Sequence, residues 1–142
     1  MSVPRCVVLV VDDEEPIRVM LKDILQQLGY DVISADSGDA ALLTLSGTLP
    51  IDVILTDILM PGEANGFDLI EQARTLRPSI PAIAMSGYIA RHEDKIALAD
   101  CFLHKPFTIS ALERALAAMH MPKGVTTGAD WLDGERHVHV PS

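Results

Sequence analysis

Short apolar runs recur along the chain at Cys6–Val11, Val32–Ala35, Val53–Thr56, Ala82–Met85 and Cys101–Leu103, with segments of helical spacing between them. This alternation restricts the fold more than any other feature. Brief runs rich in Val and Ile, apolar on both faces, suit strands that are covered on both sides. A strand covered on both sides needs a layer on each face, and the intervening segments are amphipathic enough to supply one.

The first of those segments carries Ile17, Met20, Leu21, Ile24, Leu25 and Leu28 at intervals of three and four residues, which places them on one helix face. Glu14, Glu15 and Pro16 suit its first turn, and Gly29 suits its stop. Ser37 is placed to cap a second helix ending near Gly47, and a third is expected from about Phe67 to Leu76, before Pro78. The last is signalled by Ser110-x-x-Glu113, a capping-box pattern, with Ile109, Leu112, Leu116 and Met119 on one face. A further helix between Ile89 and Ala99 has the weakest pattern. Five strands alternating with five helices predict a doubly wound α/β sandwich around a parallel sheet.

With 142 residues the chain has room for one such domain. Its net charge of −9 comes from 20 acidic against 11 basic residues, a balance unsuited to a nucleic-acid backbone or an anionic membrane surface. Cys6 and Cys101 lie in apolar runs without Cys-x-x-Cys spacing and read as two buried thiols. No secretory leader or membrane span is recognisable, so a cytoplasmic location is expected. After Met121 the character changes: Pro122, Gly124, Gly128 and Gly134 interrupt a polar stretch. Residues 5–121 are therefore read as the domain and 122–142 as a flexible tail. In that tail His137-x-His139 reads as an unstructured pair, and Trp131 with Leu132 reads either as an apolar anchor for a partner or as the remnant of a linker; His104 reads as a solvated neighbour of Lys105.

In open α/β sheets, ligands bind beyond the carboxyl ends of the strands, where strand order reverses. The residues at those ends are Asp12 and Asp13 after the first strand, Asp57 after the third, Ser86-Gly87 after the fourth, and Lys105-Pro106 after the fifth. Each is weak alone; an acidic pair after a strand is more often a turn or a helix cap. If the first and third strands are neighbours in the middle of the sheet, three carboxylates crowd one spot, with a hydroxyl and an ammonium beside them. Three ionised carboxylates need a compensating charge, and Mg²⁺ is the natural hard cation for oxygen donors. Such a site can hold a phosphoryl group while a carboxylate attacks it to form an acyl phosphate.

The set Asp12-Asp13, Asp57 followed by Met60-Pro61, Ser86-Gly87 and Lys105-Pro106-Phe107 closely resembles the receiver domain of two-component response regulators, over roughly residues 5–120. The resemblance implies the flavodoxin-like strand order 2-1-3-4-5. It implies that Asp57 is the phosphoacceptor, and that Asp13, Asp57 and the backbone carbonyl of Leu59 bind Mg²⁺ directly, with Asp12 acting through metal-bound water. Ser86 and Lys105 would contact phosphoryl oxygens, and Phe102 matches the switch aromatic. The implied partners are a sensor histidine kinase or histidine phosphotransfer protein and a downstream protein, with a phosphorylation-dependent homodimer also compatible. Between Pro61 and Gly66 the loop is one residue longer than the commonest family form.

A phosphohydrolase with an aspartate nucleophile is the competing enzyme reading. Such enzymes resemble Asp-x-Asp at the nucleophile, the second Asp serving as acid and base, and here that position is Leu59. Turnover of esters is therefore not expected, and the chain is read as catalysing only its own phosphorylation and dephosphorylation. After residue 121 there is no room for a helix-turn-helix unit and the tail is not basic, so output through DNA is not expected. A stand-alone receiver, a receiver excised from a hybrid kinase and a passive phosphorelay carrier all remain open. Two positions beyond Asp57 and Ser86 stand Leu59 and Tyr88. Leu59 offers no hydrogen bond to an attacking water, which predicts a long-lived phosphoryl-aspartate.

Overall fold

Each apolar run becomes a strand in a computed structural model of the chain, which describes residues 6–58, 65–87, 98–119 and 139–140. The strands are β1 (Val7–Val11), β2 (Asp31–Ala35), β3 (Val53–Asp57), β4 (Ala82–Ser86) and β5 (Cys101–His104). They pair in parallel in the order β2-β1-β3-β4-β5, the order that the family resemblance implied. β3 and β4 are buried at every position, because both their faces are covered. β3, β4 and β5 each run one residue beyond the apolar stretch, so strand pairing itself carries Asp57, Ser86 and His104 to the sheet's carboxyl edge.

Side chains alternate across a strand, and the core accordingly divides in two. On one face Val8, Val10, Val53, Leu55, Ile83, Met85 and Leu103 meet Ile17, Leu21, Ile24 and Leu25 of α1 (Glu15–Gln27) and Leu112, Ala115 and Leu116 of the last helix. On the other face Leu9, Val11, Ile54, Ala82 and Ala84 meet Ala41 and Leu45 of α2 (Gly38–Leu45) and Phe67, Leu69, Ile70 and Ala73 of α3 (Gly66–Leu76). A one-residue slip of any central strand would exchange these sets, so register is strongly specified.

Helix ends follow local chemistry. Pro16 stands in the first turn of α1, and Gly29, at φ 98°, takes the left-handed conformation that ends it. The Ser37 hydroxyl accepts from the Ala40 N–H at 3.1 Å. Asn65 and Asp68 cap α3 reciprocally, a capping box that sequence reading missed. The last helix, α4 (Ile109–Met119), starts earlier than its expected capping box. The Thr108 hydroxyl accepts from the Ala111 N–H at 3.0 Å and takes the capping role, which leaves Ser110 inside the first turn. Four helices lie among the described residues; the helix expected between Ile89 and Ala99 falls almost wholly outside them. Two short strands, β6 (Phe107–Thr108) and β7 (His139–Val140), pair antiparallel, so the backbone at His139 lies in a ladder next to α4; residues 120–138 lie outside the described set.

Cys6 and Cys101 form no disulfide and are half-buried, each packed against the α1/α4 side of the core. Burial, followed by the charge of Asp52 and a hydrogen bond to it, pushes the Cys6 thiol up to about 11. Burial also raises Cys101. In both cases burial disfavours the thiolate, the reactive form. Among the described residues no helix is long and apolar enough to cross a membrane.

Gly66 ties α3 to the end of β3. Its N–H donates to the Ile58 carbonyl at 3.0 Å, and a Cβ there would collide with the Asp57 carbonyl oxygen and lie 2.7 Å from Ile58 Cα. Gly66→Ala should destabilise the fold by about 1–3 kcal/mol through forced backbone displacement. Urea unfolding measures this, and a loss below about 0.5 kcal/mol would show that α3 shifts away freely.

Candidate functional site

The central strands share one direction, so their following residues meet at one edge. Asp12 directly follows β1, Asp57 ends β3, Ser86 ends β4, and Lys105 directly follows β5. Side-chain oxygens of Asp12, Asp13 and Asp57 all lie within 4.8 Å of one another. Lys105 Nζ stands 3.2 Å from Asp57 Oδ2 and 3.4 Å from Asp12 Oδ2. Asp12 is 0% exposed, Lys105 5% and Asp57 8%, whereas Asp13 faces solvent at the mouth. Ser86 is buried beside them at the end of β4.

Backbone bonds hold these groups in place. The Asp12 N–H donates to the Ala35 carbonyl at 3.2 Å, and Asp12 Oδ1 accepts from the Glu14 N–H at 2.9 Å. Both Asp12 oxygens therefore already have protein partners. The Thr56 hydroxyl donates to the Asp57 carbonyl at 2.9 Å, and the next N–H, of Ile58, donates to the Met85 carbonyl at 3.1 Å. The Lys105 N–H donates to the Ser86 carbonyl at 3.0 Å, which extends the β4–β5 pairing by one bond before the cis Lys105–Pro106 peptide.

Among the described residues, one ammonium stands against three carboxylates, which leaves that set short of positive charge. Carboxylate and ammonium are costly to desolvate, and a buried charge requires a close partner. Lys105 supplies that partner for the two buried acids, and among the described residues no cation pairs with Asp13 at the open side. The donor set consists of carboxylate oxygens, without imidazole or thiolate, and Asp13 gives it a solvent-facing ligand position. That chemistry fits Mg²⁺, a hard ion that keeps several waters.

Of the residues singled out from sequence, Asp12, Asp13, Asp57, Ser86 and Lys105 gather at this edge. Phe102 lies in the middle of β5, half-buried, with its side chain against the α2/α3 side of the core. Leu59, Met60, Pro61, Tyr88, Trp131 and His137 lie outside the described residues, and His104 is exposed at the end of β5. Sequence reading missed Arg18, whose Nη1 donates to the Asp12 carbonyl at 2.7 Å. No local pattern announces such a bond, since a long side chain chooses its partner only in the folded chain.

A parallel sheet in this order, with an acidic pocket and a lysine at its carboxyl edge, defines a doubly wound α/β domain whose edge carries oxygen donors suited to a hard cation. Residues 8–117 match the response regulator receiver domain, and the chain belongs to this two-component signalling family. The autoinducer 1 sensor kinase/phosphatase LuxN of Vibrio campbellii is 38% identical over 111 residues, covering 77% of this chain. The chain spans only 13% of LuxN itself. The chemotaxis protein CheY4 of Vibrio cholerae superposes with a TM-score of 0.74 at 29% identity, covering 82% of this chain and 99% of that one. The response regulator TrrA of Thermotoga maritima, solved in complex with Mg²⁺–BeF, gives 0.72 at 30% identity, covering 80% and 98%.

Crowding of like charge has a measurable consequence. In metal-free buffer, Asp13→Asn removes one of the three carboxylates and should raise the melting temperature by about 2–5 °C. An unchanged or lower midpoint in differential scanning calorimetry would show that solvent already relieves the repulsion.

Proposed function

We propose that this chain is a phosphorylation-activated signalling switch, which takes a phosphoryl group from a phosphohistidine donor onto Asp57. The observation that carries the reading is Asp57 itself, held at the end of β3 with its Oδ2 3.2 Å from Lys105 and two further carboxylates alongside. One Asp57 oxygen attacks phosphorus, the bond from phosphorus to the imidazole nitrogen breaks, and the imidazole leaves neutral once protonated. Lys105 then exchanges part of its contact with the carboxylates for a phosphoryl oxygen, and the Ser86 hydroxyl binds another. Asp13 and Asp57, with the Leu59 carbonyl, would hold Mg²⁺, and Asp12 would act through its water; bound there, the ion supplies charge neutralisation for the phosphoryl oxygens. Phe102 acts as the switch aromatic, and the signal leaves through protein contacts. The donor is a sensor histidine kinase or a histidine phosphotransfer protein. Similarity to part of LuxN favours one variant of this reading, a receiver that serves within a sensor kinase and hands the group on.

Incubation with Mg²⁺ and acetyl phosphate should add one phosphate by intact mass, and Asp57→Asn should abolish it. Labelling that persists in the variant would overturn the reading.

Loaded protein freed of donor should lose its phosphate slowly, because Leu59 offers no hydrogen bond to an incoming water. Leu59→Asn should speed the decay severalfold, followed by intact mass over time. Decay that is unchanged or slower in the variant would remove Leu59 as the gate.

A further inference from the structure

Asp13 presents a physical problem. It is the exposed member of the acidic trio, yet its carboxylate stays within 4.8 Å of two others of like charge. Repulsion and side-chain entropy both favour a swing into water. Among the described residues its carboxylate takes no hydrogen bond that would prevent this. The remaining restraint is the backbone, and in particular the peptide that joins Asp12 to Asp13.

That peptide is clamped. Its carbonyl oxygen, on Asp12, accepts from Arg18 Nη1 at 2.7 Å, a charge-assisted bond of short length. Upstream, the Asp12 N–H is held by the Ala35 carbonyl, and Asp12 Oδ1 holds the Glu14 N–H. Because a peptide is planar, fixing its oxygen fixes the direction in which the chain enters Asp13. Arg18 is a firm anchor for the purpose. It lies in the first turns of α1, its own N–H donates to the Glu14 carbonyl at 3.1 Å, and neighbouring Ile17 and Leu21 are buried in the core. The clamp thus connects the packed helix to the turn that carries the acids.

We propose that Arg18 is a positioning residue for the acidic pocket: through the Asp12 carbonyl it sets the Asp12–Asp13 peptide and holds the Asp13 carboxylate where a divalent cation takes it as a ligand. The inference rests on the Mg²⁺ reading given above. It opposes the simple Coulomb expectation. A guanidinium near a cation site should weaken cation binding, so its removal would strengthen binding if charge alone mattered. Positioning predicts the reverse.

The test is titration calorimetry of Mg²⁺ into the full chain and into Arg18→Met, Arg18→Lys, Asp13→Asn and the Arg18→Met/Asp13→Asn double variant. Melting temperature in metal-free buffer monitors the fold, and Arg18→Gln replaces Arg18→Met if the latter does not fold. Arg18→Met should weaken Mg²⁺ binding about tenfold, as is usual for a group that orients a metal ligand. Arg18→Lys, which keeps a cationic donor, should recover most of the loss. In the Asp13→Asn background Arg18→Met should cause no further loss, because its route to the metal is gone. Affinity that is unchanged or tighter in Arg18→Met, or a loss of equal size with and without Asp13, overturns the proposal. Wild type that fails to bind Mg²⁺ overturns the site reading and this inference with it. Binding that depends on Asp13 but not on Arg18 overturns the inference alone.

Discussion

Lys105 places a buried ammonium between two buried carboxylates, 3.2 Å from Asp57 and 3.4 Å from Asp12, and thereby joins the ends of β1, β3 and β5. Each of these charges would be costly to bury alone. The three are tolerable only together, which requires the strands to end level and side by side. The order β2-β1-β3-β4-β5 supplies this, because it sets β1 and β3 as neighbours at the reversal of the sheet and brings β5 within reach of a long side chain. Removal of Lys105 would leave two desolvated carboxylates facing each other beside a third.

The packing beneath that edge explains its rigidity. Strand register is locked by two separate apolar sets, one under α1 and α4 and one under α2 and α3. A one-residue slip would send each central strand's side chains to the opposite face and misfit both apolar sets at once. Gly66 adds a local constraint, since α3 begins in contact with the backbone of Asp57 and Ile58. The Asp57 carboxylate is consequently held by its neighbours on either side in the sheet and by a helix terminus against its main chain. Freedom is left to the solvent-facing side, where Asp13 sits.

Much of this was legible before folding. Strand positions follow from apolar runs too short for helices, and α1 from its three-and-four spacing with Pro16 and Gly29 at its ends. The polar residues that follow those strands were likewise readable, because the carboxyl edge of a parallel sheet is set by topology and not by detailed packing. The strand order itself came from family resemblance, since alternation of elements is compatible with more than one order. The start of α4 was misplaced for a local reason: both Thr108 and Ser110 can cap a helix, and the choice depends on where β6 releases the chain.

The sequence by itself determined the alternating elements, the two-faced burial of the strands and the identity of the five polar residues at the sheet's edge. These depend on periodicity and residue type, which local chain chemistry specifies. Tertiary structure decided what depends on distance: the contact of Lys105 with acids 48 and 93 residues away, the half-buried rather than buried cysteines, the cap at Thr108, the approach of Gly66 to Asp57, and the bond from Arg18 to Asp12. Long, flexible or polar side chains have many partners available in an unfolded chain, and only the packed sheet, by fixing which groups are near and dry, selects one.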